Sequence, residues 1–569
     1  MSNIRVIPFG GVREYGKNLY AVEVNEEIYI LDCGMKIPED EMLGVDGVIP
    51  DFNYLIENKN RIAGIFLTHG HIDAIGALPY LLQDINVPVF GSELTIALAK
   101  MNIQNIPIAK KFKDFHVVNE NTEIDFAQAT VSFFKTTHSI PESLGIVVKT
   151  DEGNIVYTGD FKFDQSAKAE YQTDFTRLAK IGEEGVLLLL SDATKADSLD
   201  RVASEYQIQE SIEETFRYWD GRIIAGCISA NIQRMQQILN AAYKSNRKVV
   251  ILDHQANKII QTAIKLKKFR LPSKDILLSL KKINDYPADK LVILVAGKMG
   301  NPIRIIQRMA RGKHRQVNIQ EGDLVYLATS PSLSMELFVA KTENMIYRAG
   351  GTVKTVSDDF NASGHADPEQ IRLLINLLKP KYLLPIQGEY RQLKAQAVLA
   401  SELGIPLKNS FITKNGEIIE YQNKQMHRAG LMPVSDVLID GFGVGDVGNI
   451  VLRDRKVLSE DGIFVVVVTI DRKRKKMISR PQISSRGFVY VKTSKTLLRD
   501  ANSLVTNIVT KHIEDDDFEW AKLKSDLRDQ LSRYLFEQTK RRPVVLPVIM
   551  EVNQNNRHSK GKKKKNRGA

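Results

Sequence analysis

The segment His69-Gly70-His71-Ile72-Asp73 places two imidazoles and a carboxylate in one short loop, directly after the strand-like run 65–68. Neutral imidazole and carboxylate oxygen both suit zinc, and a loop leaving a strand end lets several ligands converge without helical constraint. His138 follows a second strand-like run, 131–137, and Asp160 follows a third, 155–158, within Thr158-Gly159-Asp160-Phe161. A single histidine at a strand end is more often a hydrogen-bonded structural residue than a ligand. Taken together, the segments shift the odds toward a metal site.

Up to about residue 195, short β-branched runs alternate with turns: 28–31, 65–68, 131–136, the hairpin 146–150/154–158 and 186–190 read as strands. Helical patterns such as 94–100 fall between them, so the class is α/β. From 196 to 349 the alternation continues with more helix, as in 234–245 followed by a strand at 248–252, and predicts a separate α/β unit. Strands and a helix at 368–378 return the chain to its first style over 350–425. A linker is expected over 426–450. A small α+β domain follows over 451–553, with a strand at 463–470, one long amphipathic helix within 496–538 and a terminal strand at 544–552.

The chain has 569 residues, so at roughly 100–200 residues per domain about three domains are expected. Hydrophobic residues at 43% and charged residues at 26% are ordinary for a globular protein and exclude disorder across the main body. No apolar run reaches the length of a membrane span, and Met1-Ser2-Asn3-Ile4-Arg5 leads straight into a strand-like segment, so the expected address is cytoplasmic, with no membrane partner. Cys33 and Cys227 sit in apolar stretches and read as buried thiols of a reducing compartment. The net charge is +11, but Arg557, Lys560, Lys562, Lys563, Lys564, Lys565 and Arg567 supply much of it. This tail, 554–569, is expected to be disordered and suited to RNA phosphates, or else merely solubilising.

The order of an HxHxD loop, a strand-end histidine and a TGD loop resembles the metallo-β-lactamase fold, an αββα sandwich with its ligands at one edge. Gly10-Gly11-Val12 and Leu31-Asp32-Cys33-Gly34 are similar to that family as well, in which the aspartate supports the site without binding metal. A narrower resemblance covers nearly the whole chain apart from the tail. The segment 10–18, Pro38-Glu39-Asp40-Glu41-Met42-Leu43-Gly44, the segment 158–164, Ser191-Asp192, Ser363-Gly364-His365-Ala366, Pro385-Ile386-Gln387-Gly388-Glu389-Tyr390 and Lys540-Arg541-Arg542-Pro543 resemble ribonuclease J. That family belongs to the β-CASP nucleases. The resemblance implies a metallo-β-lactamase domain in two parts, 1–195 and 350–425, an inserted β-CASP domain at 196–349 and a C-terminal dimerisation domain at 451–553.

By the same resemblance, His69, His71, His138 and Asp160 match the first metal's ligands and Asp73 a ligand of the second. Ala74 and Gln387 stand where the family carries two further histidines. Alanine cannot ligate and a neutral amide is a poor zinc ligand, so one zinc ion is expected and a second site weak or empty; Mn²⁺, which prefers oxygen ligands, is the alternative. Asp73 and His365 are the expected catalytic residues. Asn361, Ser363, Gly364, His365 and Asn231 correspond to the RNA pocket, although Asn361 replaces a family histidine, Ser229-Ala230-Asn231 departs from an ASN triplet and 296–302 departs from a TGSQGEP segment. The implied function is hydrolysis of RNA, 5′-to-3′ with endonucleolytic cuts also open, in rRNA maturation and mRNA decay. The site is impaired, and the chain is expected to serve mainly as the degenerate-site member of a ribonuclease J pair, joined to an active paralogue or to itself. The alternatives are an independently active metal-dependent RNase and a small-molecule hydrolase of the same fold.

Overall fold

The computed structural model describes residues 2–552 except 39–41, 105, 107–108, 298–299, 329–334, 359, 442 and 491. The basic tail 554–569 and parts of the 38–44 and 296–302 segments thus lie outside the described residues. The chain divides into two compact units, Met1–Ile37 with Gly47–Val437, and Pro38–Asp46 with Leu438–Ala569.

Two sheets form the core of the first unit. An eight-stranded sheet runs in the order Gln425–Leu431, Glu417–Gln422, Ile4–Gly10, Leu19–Val24, Glu27–Leu31, Ile62–Phe66, Val89–Gly91 and Phe115–Val117. A six-stranded sheet runs Tyr382–Ile386, Val186–Asp192, Gly153–Tyr157, Leu144–Thr150, Thr130–Lys135 and Glu123–Asp125. Their inner faces share one apolar core in which Tyr20, Val22, Leu31 and Phe66 from one sheet meet Phe133, Ile146, Tyr157 and Leu190 from the other. The helices Phe175–Glu184, Pro368–Leu378 and Tyr390–Glu402 add Leu178, Leu374 and Leu393 to that core. The αββα sandwich read from the sequence is present.

Between the strands Val186–Asp192 and Tyr382–Ile386, which pair in parallel, the chain builds a second layer of its own. Five parallel strands in the order Lys248–Ile251, Leu291–Gly297, Ile223–Ile228, Leu324–Leu327 and Thr352–Thr355 carry helices such as Ile232–Lys244 and Asn301–Ala310. The first strand in sequence, Ile223–Ile228, has neighbours from later in the chain on both sides, which makes its carboxyl end a topological switch point where open α/β sheets form crevices.

Three expectations shift. The strand Thr352–Thr355 belongs to the parallel sheet, past the boundary expected at 349. The strand Gln425–Leu431 pairs with Glu417–Gln422 where a linker was expected; it is an edge strand with only Met426 buried, so it lacks an apolar alternation. The long helix within 496–538 is two helices, Lys495–Glu514 and Trp520–Thr539, because Asp515-Asp516-Asp517 brings like charges and poor helix formers to the break.

In the second unit those two helices cover one face of a small sheet, packing Val505, Val509, Leu527 and Leu531 against Phe464, Val466 and Val468. On the opposite face Val465 lies beside Leu546 and Val467 beside Val548. Leu546 and Val548 are exposed there, as is Met550. Cys33 and Cys227 are buried free thiols. No helix among the described residues is long and apolar enough to cross a membrane.

Candidate metal centre

The strand Ile62–Phe66 is buried between sheet neighbours, and the chain leaves its end through Thr68 into His69. His138 follows Thr130–Lys135 and Asp160 follows Gly153–Tyr157, so the sandwich brings three distant strand ends to one edge. One ligand atom each from His69, His71, His138 and Asp160 lies within 4.8 Å of all the others.

Each imidazole is held by its far nitrogen. Thr68 donates its hydroxyl to Asp32 Oδ2 at 2.8 Å and lies 2.9 Å from His69 Nδ1, so the hydroxyl is left to accept from that nitrogen. Asp32 is itself held by the Thr68 backbone N–H at 2.7 Å and the Tyr157 hydroxyl at 2.6 Å. His138 Nδ1 donates to the Gly364 carbonyl at 2.9 Å and His71 Nε2 to the Ala230 carbonyl at 3.2 Å. Carbonyls only accept, so these contacts place the ring protons on the outer nitrogens and aim the lone pairs of His69 Nε2, His138 Nε2 and His71 Nδ1 inward. Burial holds all three imidazoles below their ordinary pKa, and therefore neutral.

Neutral rings oriented this way set His138 Nε2 and His71 Nδ1, both lone pairs, 3.1 Å apart with no proton between them. His69 Nε2 is buried without a hydrogen-bond partner, as is Asp160 Oδ1. Burial and the neighbouring Asp73 raise the Asp160 carboxyl well above its usual range. Facing lone pairs, orphaned acceptors and a carboxylate disfavoured by burial and like charge are what a divalent cation relieves, and the outer hydrogen bonds are those that orient histidine ligands. The donor set fits a metal ion.

The second set of residues is arranged differently. Asp73 Oδ1 stands 3.7 Å from His69 Nε2, and its other oxygen accepts from Asn18 at 3.2 Å, but Asp73 is outside the group of four. Its backbone is clamped too, since a Cβ on Gly34 would sit 1.5 Å from the Asp73 carbonyl oxygen. Ala74 is buried and offers only a methyl group, while its carbonyl accepts from Cys33. Gln387 is buried with a left-handed φ of 54° and an unpartnered Nε2. A second cluster joins Asp160 to Asp192 and His365. His365 Nδ1 lies 2.7 Å from Asp192 Oδ2. Burial opposes protonation of His365, but Asp192 and Asp160 outweigh it and lift its pKa to about 9.

Of the expected RNA-pocket residues, Ser363 accepts from the His365 backbone N–H at 3.0 Å and Gly364 holds His138, so both belong to the cluster's surroundings. The Asn361 side chain is tied to the Asp200 carbonyl at 3.1 Å, and that of Asn231 caps the helix Ile232–Lys244 by accepting from Arg234 N. Sequence reasoning missed the carbonyls of Ala230 and Gly364, because a backbone acceptor carries no residue-type signal. Ala230 sits just past the strand Ile223–Ile228, so the parallel sheet delivers its switch point to the imidazole cluster.

Four family models match: "Metallo-beta-lactamase superfamily" over residues 12–195, "Ribonuclease J, beta-CASP domain" over 220–346, "Zn-dependent metallo-hydrolase RNA specificity domain" over 351–410 and "Ribonuclease J C-terminal domain" over 450–552. A crystal structure of a protein of unknown function from Enterococcus faecalis V583 shares the fold at a TM-score of 0.53 and 16% identity, covering 74% of this chain and 100% of that one. The chain is 53% identical over 552 residues to Ribonuclease J 2 of Streptococcus pyogenes serotype M3, covering 97% of this chain and 100% of that relative. It is 45% identical over 550 residues to Ribonuclease J 2 of Staphylococcus aureus strain NCTC 8325, covering 97% and 98%. Such identity, spread across the sandwich, the insertion and the C-terminal domain alike, makes the chain a member of the ribonuclease J family.

Proposed function

We propose that the chain binds RNA and is a metal-dependent phosphodiesterase with one well-formed cation site, acting mainly as the weaker subunit beside an active ribonuclease J paralogue. The observation that carries this reading is the contrast between the oriented, orphaned donors of His69, His71, His138 and Asp160 and the methyl and carboxamide at Ala74 and Gln387. A bound cation supplies Lewis-acid activation of water and of the scissile phosphate, and a two-ion site clamps both attacking and leaving oxygens. Zn²⁺ suits the three imidazoles; Mn²⁺ is the alternative where Asp73, Asp160 and Gln387 contribute oxygens.

Asp73 orients the attacking water and accepts its proton. His365 keeps Nδ1 on Asp192, which favours its imidazolium form, so Nε2 is the atom that steadies the phosphate or gives its proton to the leaving oxygen. Ser363 and Gly364 hold that loop in place, while Asn361 and Asn231, engaged on the Asp200 carbonyl and the helix Ile232–Lys244, are carried as pocket residues by the family resemblance alone. The substrate is single-stranded RNA entered from a 5′-monophosphate. Loss of the second ion's charge stabilisation, several kcal/mol, lowers the rate on the order of hundreds-fold. The exposed apolar sheet face carrying Val465, Leu546 and Val548 supports association with a paralogue or a second copy. The expected setting is the cytoplasm.

Cleavage of a 5′-monophosphorylated RNA with Zn²⁺ or Mn²⁺ tests the site, run beside a His71→Ala, Asp160→Ala double variant. Weak activity lost in the variant supports the reading, and equal traces in both overturn it. Sizing the chain mixed with an active ribonuclease J tests the partnership, which a profile of separate components rules out.

A further inference from the structure

Between Leu291 and Gln320 the sequence holds no aspartate or glutamate and six lysines and arginines. The helix Asn301–Ala310 and the turn after it carry five of them. Ile305, Ile306 and Met309 bury one side of that helix in the core of the parallel sheet. Arg304, Arg308 and, at its C-terminal end, Arg311 stand exposed on the other, at the i, i+4, i+7 spacing of one helix face. Lys313 and Arg315 follow, also exposed, in a turn fixed by the Lys313 N–H on the Arg308 carbonyl at 2.9 Å and the His314 N–H on Asn318 Oδ1 at 3.0 Å. None of the five side chains has an ion pair or a hydrogen bond among the described residues.

Local stability does not account for this row. Cations at a helix C-terminus complement its dipole, but Arg304 lies toward the N-terminal end, where a cation is disfavoured. Arg304 and Arg308 are moreover a like-charge i,i+4 pair, which weakens a helix. The adjoining helix Glu336–Arg348, joined by Gln307 Nε2 donating to Thr342 at 2.8 Å, brings Glu336 and Glu343 but also Lys341 and Arg348, so the excess stands. After the turn, Asp323 is taken by Arg222 at 2.6 Å, which leaves Glu321 against five cations. The row also has a direction. The strand Leu291–Gly297 before the helix ends beside the metal centre: the Gly297 carbonyl accepts from the Ser229 N–H at 2.9 Å, one residue before the Ala230 carbonyl that holds His71. From there the helix runs back along the parallel sheet and carries its cations away from the imidazoles.

We propose that the exposed face of the helix Asn301–Ala310, with the turn after it, is a docking path for the phosphate backbone of an RNA strand that extends beyond the histidine cluster. Guanidinium groups fork onto phosphate oxygens, and a row of them tracks a backbone without reading its bases. The proposal rests on the RNA reading above, but its test reads binding and needs no turnover. With chelator present, the full chain is titrated across a range of salt with a fluorescent oligouridine of about twenty-four nucleotides, and with polyglutamate of matching charge. The same titrations are run on a chain carrying Arg304→Gln, Arg308→Gln and Arg311→Gln, and on one with lysine at all three positions, with melting curves to confirm folding. The basic tail 554–569 is common to all three chains, so differences between them report the helix.

The expected result is RNA binding about tenfold or more weaker in the glutamine variant, with the slope of log affinity against log salt shallower by about 2, the value for three phosphate contacts on a single strand. The lysine variant keeps the parent's slope, because it keeps the charge. RNA affinity and slope unchanged by the glutamines overturn the proposal. Polyglutamate bound as tightly as RNA, with the same loss in the variant, overturns it as well and identifies a surface for an acidic protein. Failure of the parent to bind RNA at all sinks the RNA reading and this path together, whereas binding that survives the substitutions sinks the path alone.

Discussion

At the residue scale, the metal centre depends on where three ring protons sit. His69 reaches its tautomer through Thr68 and the buried Asp32, a relay of neutral hydroxyl and carboxylate. Thr68→Val keeps the shape and removes the hydroxyl, so affinity for Zn²⁺ is expected to fall about 10–100-fold with little change in melting temperature. Competition with a fluorescent chelator measures it, and unchanged affinity contradicts the relay. On the proposed one-ion reading, Ala74→His with Gln387→His adds two imidazoles and is expected to raise bound metal from about one ion to about two and RNA cleavage on the order of hundreds-fold. Metal analysis of the purified variant checks the first, and a single-turnover assay the second. The histidines and Asp160 were legible because strand-end ligands are local in sequence. The Ala230 and Gly364 carbonyls were not, since only the folded chain brings them to His71 and His138.

At the scale of elements, the loop after Asp160 is tied to the insertion by a buried ion network. Lys162 and Arg234 flank Glu205, the first residue of its helix. Burial alone raises the Glu205 carboxyl, but Lys162 and Arg234 outweigh it and hold its pKa down to about 2. A folded pKa below the unfolded value stabilises the fold fully above about pH 4.5, and that stability is lost as pH falls toward 2. The contribution is on the order of 3 kcal/mol, so a Glu205→Gln variant, already lacking it at pH 7, is expected to lose less stability than the parent between pH 5 and 3. Urea unfolding at both pH values decides this, and parallel losses refute it. Element positions with clean periodicity were readable, such as the helix Pro368–Leu378. The edge strand Gln425–Leu431 was not, because its exposed residues owe their conformation to pairing rather than burial.

At the scale of the whole molecule, the C-terminal sheet covers one face with its own helices and leaves the other apolar and open. Leu546→Asp with Val548→Asp places charges on that open face and spares the packed core, so it is expected to dissociate any dimer while leaving the melting temperature nearly unchanged. Light scattering reads the mass, and an unaltered mass locates the interface elsewhere. By itself the sequence determined the α/β class and the candidate ligands, because strand periodicity and strand-end chemistry are written locally; that Ala74 and Gln387 stand where histidines are expected came only from the resemblance to ribonuclease J. Only the tertiary structure decided that His69, His71, His138 and Asp160 share one point and that the insertion's switch point supplies Ala230 to it. Those are distances between segments far apart in the chain, and they exist only once two sheets have packed on a common core.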